Sequence, residues 1–367
     1  MKILILSSRF GMGHFAAAKT LADKIDKSIG DVEVCVEDVL EYAIDKQSCD
    51  YIYDSYFFVV NHSGRMVKYV SKLIENEEKD IKNPFEGIML KVLEKLIEDR
   101  KPDIIISTYS YYARLASLYI DKTGSKVPLV TYITDVSTHK VWINPNTDLY
   151  MVASDTTKQE LIRRGISADN IIISGIPVKE EFKDPAASIQ EETKRLLIMG
   201  GGFGLVPKTV DFYEQINALP NVKTTVICAR NKKIYEKLHG KFENIEVIGF
   251  SDKVHEYMKE ADLLITKPGG LTVFEAIHSQ LPMMVFNPIL IQEVHNSIYI
   301  EKNNIGFIMY EKAEKSVNEI YNVINNDSLL HKIRTNMRAI QSQFDEEALA
   351  RYINKHRTQE VLVEASF

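Results

Sequence analysis

The strongest constraint on the fold is a pattern that occurs twice along the chain: short apolar runs separated by longer, mixed stretches. Runs that are apolar throughout are typical of parallel strands that helices cover on both faces. The first set lies at residues 3–7, 32–36, 103–107, 129–134, 149–153 and 170–174. The second set lies at residues 195–199, 224–228, 245–248, 263–266 and 283–286. The sequence therefore predicts an α/β fold built from two doubly wound, Rossmann-like domains.

The length of 367 residues agrees with two domains, because a single hydrophobic core seldom grows to this size. A polar, charged stretch at residues 179–193 separates the two sets of strands. We predict a first domain over residues 1–180, a second over residues 190–335 and a helical C-terminal segment over residues 336–367. The spacing of apolar residues predicts helix throughout residues 313–360.

Composition excludes several classes of protein. Lys plus Arg number 45 against 51 Asp plus Glu, a net charge of −6, so no overall positive charge favours nucleic acid. The three cysteines are scattered without a C-x-x-C motif, which fits a reducing cytosol better than a disulfide framework or a zinc cluster. The N-terminus enters a predicted strand at once rather than a signal peptide, and no apolar stretch is long enough to cross a bilayer.

A glycine loop follows the first predicted strand, where residues 5–16 read ILSSRFGMGHFA. Gly11 and Gly13 let the backbone approach a ligand closely, and the free amides of the following helix favour an anion. The helix dipole disfavours the protonated form of His14, which is placed to act as a base toward a bound substrate. A histidine that only caps or packs is the alternative.

The same loop also satisfies the G-x-G-x-x-A form of the dinucleotide fingerprint, with Glu37 and Asp38 closing the second strand. A nicotinamide-dependent oxidoreductase is therefore a rival hypothesis. It leaves two later glycine-rich blocks, at residues 200–204 and 266–276, unexplained. A plain strand-to-helix turn is the simplest alternative of all.

The second glycine loop, GGGFG at residues 200–204, opens the second half of the chain. If each sheet binds its ligand at the carboxyl ends of its strands, the two glycine loops would face each other across a cleft. One ligand would then contact both loops. A flexible turn is the alternative, although three consecutive glycines cost conformational entropy.

The most specific block reads TKPGGLTVFEA at residues 266–276. A buried strand ends in Lys-Pro-Gly-Gly, and a helix begins near Leu271, so that the amide and hydroxyl of Thr272 are available to a diphosphate. Glu275 lies one turn further and suits the two hydroxyls of a ribose. A solvated carboxylate favoured by the helix dipole is the alternative for Glu275.

Two further blocks carry polar groups at strand ends. Gln292, Glu293 and Asn296 are spaced to hold sugar hydroxyls, or else begin an ordinary helix. Residues 134–142, TDVSTHKVW, place polar groups and the single tryptophan at the end of another strand, where Trp142 packs or lines a site. No D-x-D motif occurs in the sequence, so the usual short carboxylate pair that presents a divalent ion to a diphosphate is missing.

Together these motifs resemble the lipid-directed branch of the GT-B glycosyltransferases, which includes bacterial processive diacylglycerol glucosyltransferases and plant monogalactosyldiacylglycerol synthases. The likeness covers nearly the whole chain. The matching blocks are Gly11, Gly13 and His14; Thr134, Asp135, His139 and Trp142; residues 174–178, 200–204, 247–250 and 266–272; Glu275 and Ala276; and Gln292, Glu293 and Asn296. Residues 290–293 read LIQE where the family has PGQE, and residues 228–231 read CARN where it has CG[RKQ]N.

The resemblance implies a GT-B fold, with two Rossmann-like domains facing across a cleft and a C-terminal helix that returns toward the first. It implies an inverting transfer of a hexose from UDP-glucose or UDP-galactose to diacylglycerol, with no metal and no cofactor, to make a membrane glycolipid. In-line attack needs a base on the acceptor hydroxyl and positive potential on the departing diphosphate. His14 is the candidate base, or else it holds the base and the donor in place, and Asp135 and His139 would support the acceptor side.

The resemblance also implies a donor site. Phe250 would lie against the uracil, Glu275 would bind the ribose, and Gln292 and Glu293 would bind the hexose. The phosphates would be bound by Gly202, Gly270, Leu271 and Thr272. Gly13, Arg230 and Asn296 complete the predicted donor-binding set.

The predicted contact with a lipid partner is residues 55–74. This stretch carries aromatic and basic side chains and no acidic one. The predicted acceptor and membrane contacts are Tyr56, Phe57, Phe58, Arg65, Lys68, Lys72 and Trp142. Such a stretch suits the surface of an anionic membrane, and we expect a cytoplasmic protein that is peripheral on the inner face of the cell membrane. An amphipathic helix packed on the core is the alternative.

Other functions stay open from sequence alone. Within the same fold, the acceptor could be another lipid-linked molecule such as a peptidoglycan precursor. Outside it, the oxidoreductase hypothesis and a noncatalytic module that binds sugar nucleotides remain.

Overall fold

The apolar runs of the first set form one parallel sheet in the computed structural model, which describes residues 1–10, 13–62, 85–183, 192–288 and 290–364. Its strands are β1 (Lys2–Leu6), β2 (Glu33–Glu37), β3 (Ile104–Ser107), β4 (Leu129–Tyr132), β5 (Leu149–Val152) and β6 (Ile171–Ile173). They pair in the order β2-β1-β3-β4-β5-β6. Residues 3–6 of β1 are fully buried, as expected of a strand covered on both faces.

Helices connect these strands. They are α1 (Gly13–Ser28), α2 (Val39–Ala43), α3 (Lys46–His62), α4 (Glu86–Arg100), α5 (Ser110–Thr123) and α6 (Asp155–Arg163). Local sequence sets several of their ends. The Asp38 carboxylate caps α2 by accepting from the Leu40 amide, and the Ser154 hydroxyl caps α6 by accepting from the Thr157 amide. Gly124 ends α5 in the left-handed conformation, with φ of 69°.

The second set of apolar runs forms another parallel sheet. Its strands are β7 (Lys194–Met199), β8 (Val222–Ile227), β9 (Ile245–Ile248), β10 (Leu263–Thr266), β11 (Met283–Phe286) and β12 (Gly306–Met309). Its helices are α7 (Val210–Asn217), α8 (Lys232–Leu238), α9 (Val254–Glu260), α10 (Gly270–His278), α11 (Ile291–Lys302), α12 (Val317–Ile324) and α13 (Asp327–Gln341). The strand order is β12-β11-β10-β7-β8-β9. The prediction of two doubly wound, Rossmann-like domains is thus confirmed.

The chain divides into two compact units. One comprises Met1–Pro177 with Phe344–Phe367, and the other comprises Val178–Gln343. The last helix, α14 (Ala348–Glu364), buries Leu349 and Ile353 in the same apolar cluster as Ile3 of β1. The predicted return of a C-terminal helix to the first domain is therefore confirmed. Residue 336, where we placed the start of the C-terminal segment, lies inside α13 of the second unit.

Two sequence predictions need correction. Residues 313–360 are not one helical run, because α12, α13 and α14 are separated by breaks near residues 325–326 and 342–347. Strand β12 was missed because glycine at its first position weakens a strand pattern. A Cβ on Gly306 would lie 2.3 Å from the Met283 carbonyl oxygen, so the close approach of β11 explains the glycine.

Each sheet reverses its direction of winding at one point. In the first sheet this point lies between β1 and β3, and in the second it lies between β7 and β10. In doubly wound sheets, ligands bind outside the carboxyl ends of the strands at such a switch point, because the neighbouring loops part there. The segments that follow β1, β3, β7 and β10 are therefore the places to look for a site.

Candidate active site

His14 lies at the switch point of the first sheet, in the first turn of α1 after β1. Its Nδ1 atom lies 2.5 Å from the Thr134 hydroxyl oxygen, which follows β4. The Thr108 hydroxyl, at the end of β3, donates to the His14 carbonyl oxygen at 3.1 Å and lies 2.8 Å from the Ser7 hydroxyl, which can donate to it. Three neighbouring strands thus fix the position of this histidine.

The hydrogen bonds of Thr134 indicate the tautomer of His14. The Thr134 hydroxyl donates its own proton to the Thr108 carbonyl oxygen, 3.4 Å away. When this proton goes to Thr108, the hydroxyl accepts from Nδ1–H of His14, and that tautomer has its lone pair on Nε2. A neutral imidazole held in this way is a base with a defined direction.

Electrostatics favour the neutral form of His14. Burial lowers the pKa of His14 below its ordinary value, while the negative charge of Asp135 and a hydrogen bond with the Thr108 backbone act in the opposite direction. The dipole of α1 acts with burial, because positive charge is unfavourable at a helix N-terminus. His14 is therefore available to accept a proton near neutral pH.

Aromatic rings enclose His14. The Tyr109 ring centroid lies 5.5 Å from that of His14, and the Trp142 centroid lies 6.4 Å away. The His139 ring lies 6.0 Å from Trp142. The structure thus brings together His14, Asp135 and Trp142, and places His139 on the tryptophan. Trp142 is only 1% exposed, which agrees with a packing role.

The rival dinucleotide hypothesis needs a free carboxylate at the end of β2. Arg100 holds Glu37 through two nitrogens, at 2.6 and 2.8 Å. Asp38 is 2% exposed and accepts hydrogen bonds from the backbone of Arg9 and Leu40 and from two tyrosine hydroxyls. Both carboxylates are engaged by the protein, so neither is presented to a ribose.

The glycine loop after β7 requires its glycines for steric reasons. Gly204 has φ of +60°, and a Cβ there would lie 1.9 Å from the Cys228 carbonyl oxygen. A Cβ on Gly200 would lie 2.2 Å from the Leu205 nitrogen. Gly202 is exposed between them. The backbone of this loop is therefore both fixed and open to a ligand.

Lys267, at the end of β10, lies beside this loop. A Cβ on Gly201 would lie 3.2 Å from its Cε atom, and one on Gly269 would lie 3.8 Å from its Nζ atom. Nζ pairs with a carboxylate oxygen of Glu293 at 3.3 Å. Lys267 was quoted in the sequence motif but given no role. Only the fold reveals its position, because Gly201 and Glu293 are distant in sequence.

Helix α10 begins at the second switch point, with Gly269 as its N-cap residue. Gly270, Leu271 and Thr272 form its first turn and are half-buried. The free amides of this turn and the Lys267 ammonium group create positive potential on one side of the loop. This arrangement suits an anion such as a diphosphate.

Glu275 lies on the next turn of α10. Burial raises its pKa to about 8, although the charge of Lys179 acts in the opposite direction. A carboxyl group with this pKa is protonated in a large share of molecules at neutral pH. Hydroxyl donors from a ligand would stabilise its ionised form.

Helix α11 supplies the last predicted polar cluster. Glu293 is 8% exposed, and it caps α11 by accepting from the Leu290 amide as well as pairing with Lys267. The Asn296 amide donates to the Pro268 carbonyl oxygen at 2.9 Å, while its own Oδ1 accepts nothing from the described residues. Gln292 is exposed. The glutamate and the asparagine thus hold the loop of residues 267–270 in place.

Phe250 and Arg230 follow strands β9 and β8 and are both exposed. The Phe250 side chain is 68% exposed, which is unusual for so large an apolar group and leaves a face for stacking. The predicted donor residues of the second unit therefore all follow the carboxyl ends of its strands.

The predicted membrane contacts fall largely beyond what the structure covers. Arg65, Lys68 and Lys72 lie outside the described residues, as does Gly11. The backbone of Tyr56, Phe57 and Phe58 forms part of α3, but their side chains lie outside the described part of the structure. Among the residues that are described, no helix is long and apolar enough to span a bilayer.

Two family models match this chain, one in each half. Residues 14–178 match the family model of monogalactosyldiacylglycerol (MGDG) synthase. Residues 195–352 match the family model of the glycosyltransferase family 28 C-terminal domain. Both matches agree with the resemblance drawn from the motifs.

Individual relatives extend over most of the chain. A processive diacylglycerol beta-glucosyltransferase of Bacillus cytotoxicus is 30% identical over 327 residues, covering 85% of this chain and 83% of that protein. One from Bacillus subtilis strain 168 is 27% identical over 368 residues, covering 96% and 95%. MurG of Acinetobacter baumannii has a TM-score of 0.64 at 12% identity, covering 97% of this chain and 99% of that chain. This structural likeness confirms the GT-B fold.

The unusual pKa of Glu275 predicts a pH-dependent gain in stability for Glu275→Gln. The folded-state pKa of about 8 lies above the ordinary value of 4.5, so between these values unfolding releases a proton and the folded state loses stability as pH rises. Glutamine cannot ionise, so the variant should melt higher than wild type near pH 8 and at nearly the same temperature near pH 5. Differential scanning calorimetry at the two pH values measures the difference.

The matched control is Glu319→Gln, which changes an exposed carboxylate of α12. It should leave the melting temperature unchanged at both pH values. Parallel pH dependence of wild type and Glu275→Gln would contradict a raised pKa at this position.

Proposed function

Because the chain belongs to the processive diacylglycerol β-glucosyltransferase family and is a GT-B glycosyltransferase, we propose that it transfers a hexose from a UDP-sugar to diacylglycerol. The transfer inverts the anomeric carbon and needs no metal. The observation that supports it best is the His14 imidazole paired with Thr134 at one switch point, together with the glycine loop, Lys267 and the start of α10 at the other. UDP-glucose is the donor to test first, because the relatives are named as glucosyltransferases.

On the acceptor side, Nε2 of His14 takes the proton of the diacylglycerol hydroxyl as its oxygen attacks the anomeric carbon. Thr134 holds Nδ1–H and keeps the lone pair on the opposite nitrogen. Asp135 stabilises the imidazolium that forms, since its charge favours protonated His14. His139 and Trp142 support this side by packing, and the tryptophan ring lies 6.4 Å from His14 and 6.0 Å from His139.

On the donor side, the uracil stacks on Phe250 and the ribose hydroxyls donate to Glu275. The diphosphate lies at the first turn of α10, against the amides of Gly270, Leu271 and Thr272. Arg230 and Gly202 flank the nucleotide, and Gln292 and Glu293 bind the hexose. Gly13 is the remaining residue of the predicted donor-binding set.

The leaving UDP gains negative charge as the sugar bond breaks, and this charge must be stabilised. Lys267 is the cation beside the diphosphate loop, and in the free protein Glu293 holds its ammonium group. The lysine and the helix amides together supply the positive potential that a divalent ion provides in other transferases.

We further propose that the protein acts on the cytoplasmic face of the membrane, as a peripheral protein attached through residues 55–74. Arg65, Lys68 and Lys72 would attract anionic lipid, and Tyr56, Phe57 and Phe58 would enter the interface. At a net charge of −6, any such attraction is local to this stretch.

Replacement of the base should abolish transfer while leaving nucleotide binding intact. With diacylglycerol vesicles, His14→Ala should lower the transfer rate about 10²- to 10⁴-fold, and Thr134→Val should cause a smaller fall. UDP affinity, measured by calorimetry, should stay at the wild-type value. Anomeric coupling constants from NMR should show that UDP-glucose gives a β-glucoside.

The exposed His331 of α13 offers a control, since His331→Ala should transfer at the wild-type rate. A His14→Ala protein that keeps full activity would eliminate this histidine as the base. A wild type that transfers to another lipid-linked acceptor but not to diacylglycerol would move the proposal to that acceptor.

Lys267 should replace a metal ion in stabilising the departing diphosphate. Lys267→Ala should lower kcat by about 10²- to 10³-fold, Lys267→Arg should retain more activity, and EDTA should leave the wild-type rate unchanged. Steady-state assays with and without chelator measure all three. Lys312→Ala, at an exposed lysine of the same unit, is the control. Loss of activity in EDTA that magnesium restores would contradict this mechanism.

The basic stretch should govern attachment to anionic membranes. Changing Arg65, Lys68 and Lys72 to Glu should weaken binding to phosphatidylglycerol vesicles at least about 100-fold, since each basic residue contributes about 1 kcal/mol at such a surface. Co-sedimentation at two salt concentrations measures the partition.

The control reverses the charge of exposed lysines in the second unit, as in Lys223→Glu with Lys241→Glu and Lys312→Glu. Equal loss of binding in the two triple variants would show that net charge, rather than residues 55–74, governs attachment.

A further inference from the structure

Asp38 forms a buried hydrogen-bonding centre that the proposed chemistry does not use. It is 2% exposed and accepts from the Arg9 amide at 3.3 Å, the Leu40 amide at 3.0 Å and the Tyr112 hydroxyl at 2.7 Å. The Tyr53 hydroxyl also donates to it, over a short hydrogen bond. A buried carboxylate is stable only when donors satisfy it in this way, so the donors are held as firmly as the carboxylate.

Tyr53 connects helix α3 to this centre. The Tyr53 side chain is 3% exposed, and its ring meets the Phe10 ring edge-on at 4.6 Å. The Arg9 guanidinium lies 4.7 Å from the centre of the same ring and pairs with Asp50, also on α3, at 2.7 Å. The Tyr53 hydroxyl is also 3.2 Å from the Ser8 hydroxyl. Residues 8–10 are thus packed on α3.

The same centre leads to His14 by two routes. Along the chain, residues 8–10 run from β1 toward the turn that carries His14. Through space, the Tyr112 ring meets the Tyr109 ring at 5.1 Å and 79°, and Tyr109 in turn lies 5.5 Å from His14. An unbroken series of contacts therefore joins Tyr53 of α3 to the imidazole.

The exposed face of α3 is where a membrane or acceptor could contact this helix and so affect His14 through Tyr53. Ile52 is 39% exposed, one turn before the stretch that we propose to contact lipid. An acceptor or membrane that presses on α3 acts on the helix that carries Tyr53. A displacement of α3 would be passed on to the neighbours of Tyr53, because close-packed side chains leave little free space to absorb it.

We propose that Asp38 and Tyr53 are positioning residues. Through them, the position of α3 determines the position of the His14 imidazole. The inference rests on the proposed function, in which His14 is the base. Loss of the Tyr53 hydroxyl removes the hydrogen bond that joins Tyr53 of α3 to Asp38. His14 then takes up its working position in fewer molecules, and the donor site in the second unit is unaffected.

Tyr53→Phe tests the coupling, with Tyr51→Phe as a matched control that removes an exposed hydroxyl from the same helix. We expect Tyr53→Phe to lower kcat about 10- to 100-fold, since a small displacement of a catalytic group has effects of this size. UDP affinity should remain that of wild type. Tyr51→Phe should match wild type in both measurements.

A second readout does not depend on activity. The Hε1 resonance of His14, in protein with labelled histidine, reports its placement against the rings of Tyr109 and Trp142. Tyr53→Phe should shift this resonance, Tyr51→Phe should not, and a Tyr109→Leu background should make the Tyr53→Phe shift smaller. A purely structural role for Tyr53 would lower the melting temperature without moving the resonance of the folded protein.

A Tyr53→Phe protein with wild-type kcat and an unshifted His14 resonance overturns the proposal. If Tyr53→Phe does not fold, Tyr112→Phe removes the other tyrosine hydroxyl from Asp38 and takes its place in both assays. If wild type transfers nothing to diacylglycerol, the proposed function fails. The resonance then decides by itself whether Tyr53 positions His14.

Discussion

The reversal of winding in each parallel sheet is the constraint on which the rest of the structure depends. Where neighbouring connections leave a sheet toward opposite faces, their loops part, and backbone amides at the helix starts stay free of partners. His14 lies at this point of the first sheet, and the loop after β7 and Lys267 lie at this point of the second. The strand order therefore determines where the candidate site of each unit lies, and the side chains at that place determine its chemistry.

Asp38 and Glu275 show how a carboxyl group that serves structure differs from one that we propose to bind a ligand. Asp38 accepts hydrogen bonds from four protein donors, so its oxygens are satisfied within the fold and it acts as an anchor. Burial instead raises the pKa of Glu275 to about 8. A carboxyl group held in this state gains most from hydroxyl donors that arrive with a ligand. The difference between anchor and binding site lies in the number of donors that the protein itself supplies.

Sequence predicted the sheets well because each strand is a local apolar run, and it predicted the glycine loop after β7, where Gly200 and Gly204 are required for steric reasons. It missed β12, whose first residue is glycine, and the breaks between α12, α13 and α14. Other features depend on contacts between residues far apart in the chain. The bond between His14 and Thr134 spans 120 positions, and that between Lys267 and Glu293 spans 26. Asp38 was considered as a ribose ligand because its four donors cannot be recognised from its neighbours in sequence.

The protonation states of His14 and Glu275 connect the proposed activity with stability. His14 must be neutral to accept a proton, and Glu275 accepts ribose hydroxyls best when it is ionised, so both groups favour transfer at higher pH. Burial lowers the pKa of His14 and so favours its neutral form. Burial raises the pKa of Glu275 and so disfavours its ionised form. The ionisation that prepares the donor site is thus the one that destabilises the free second unit, and a bound nucleotide would offset that cost.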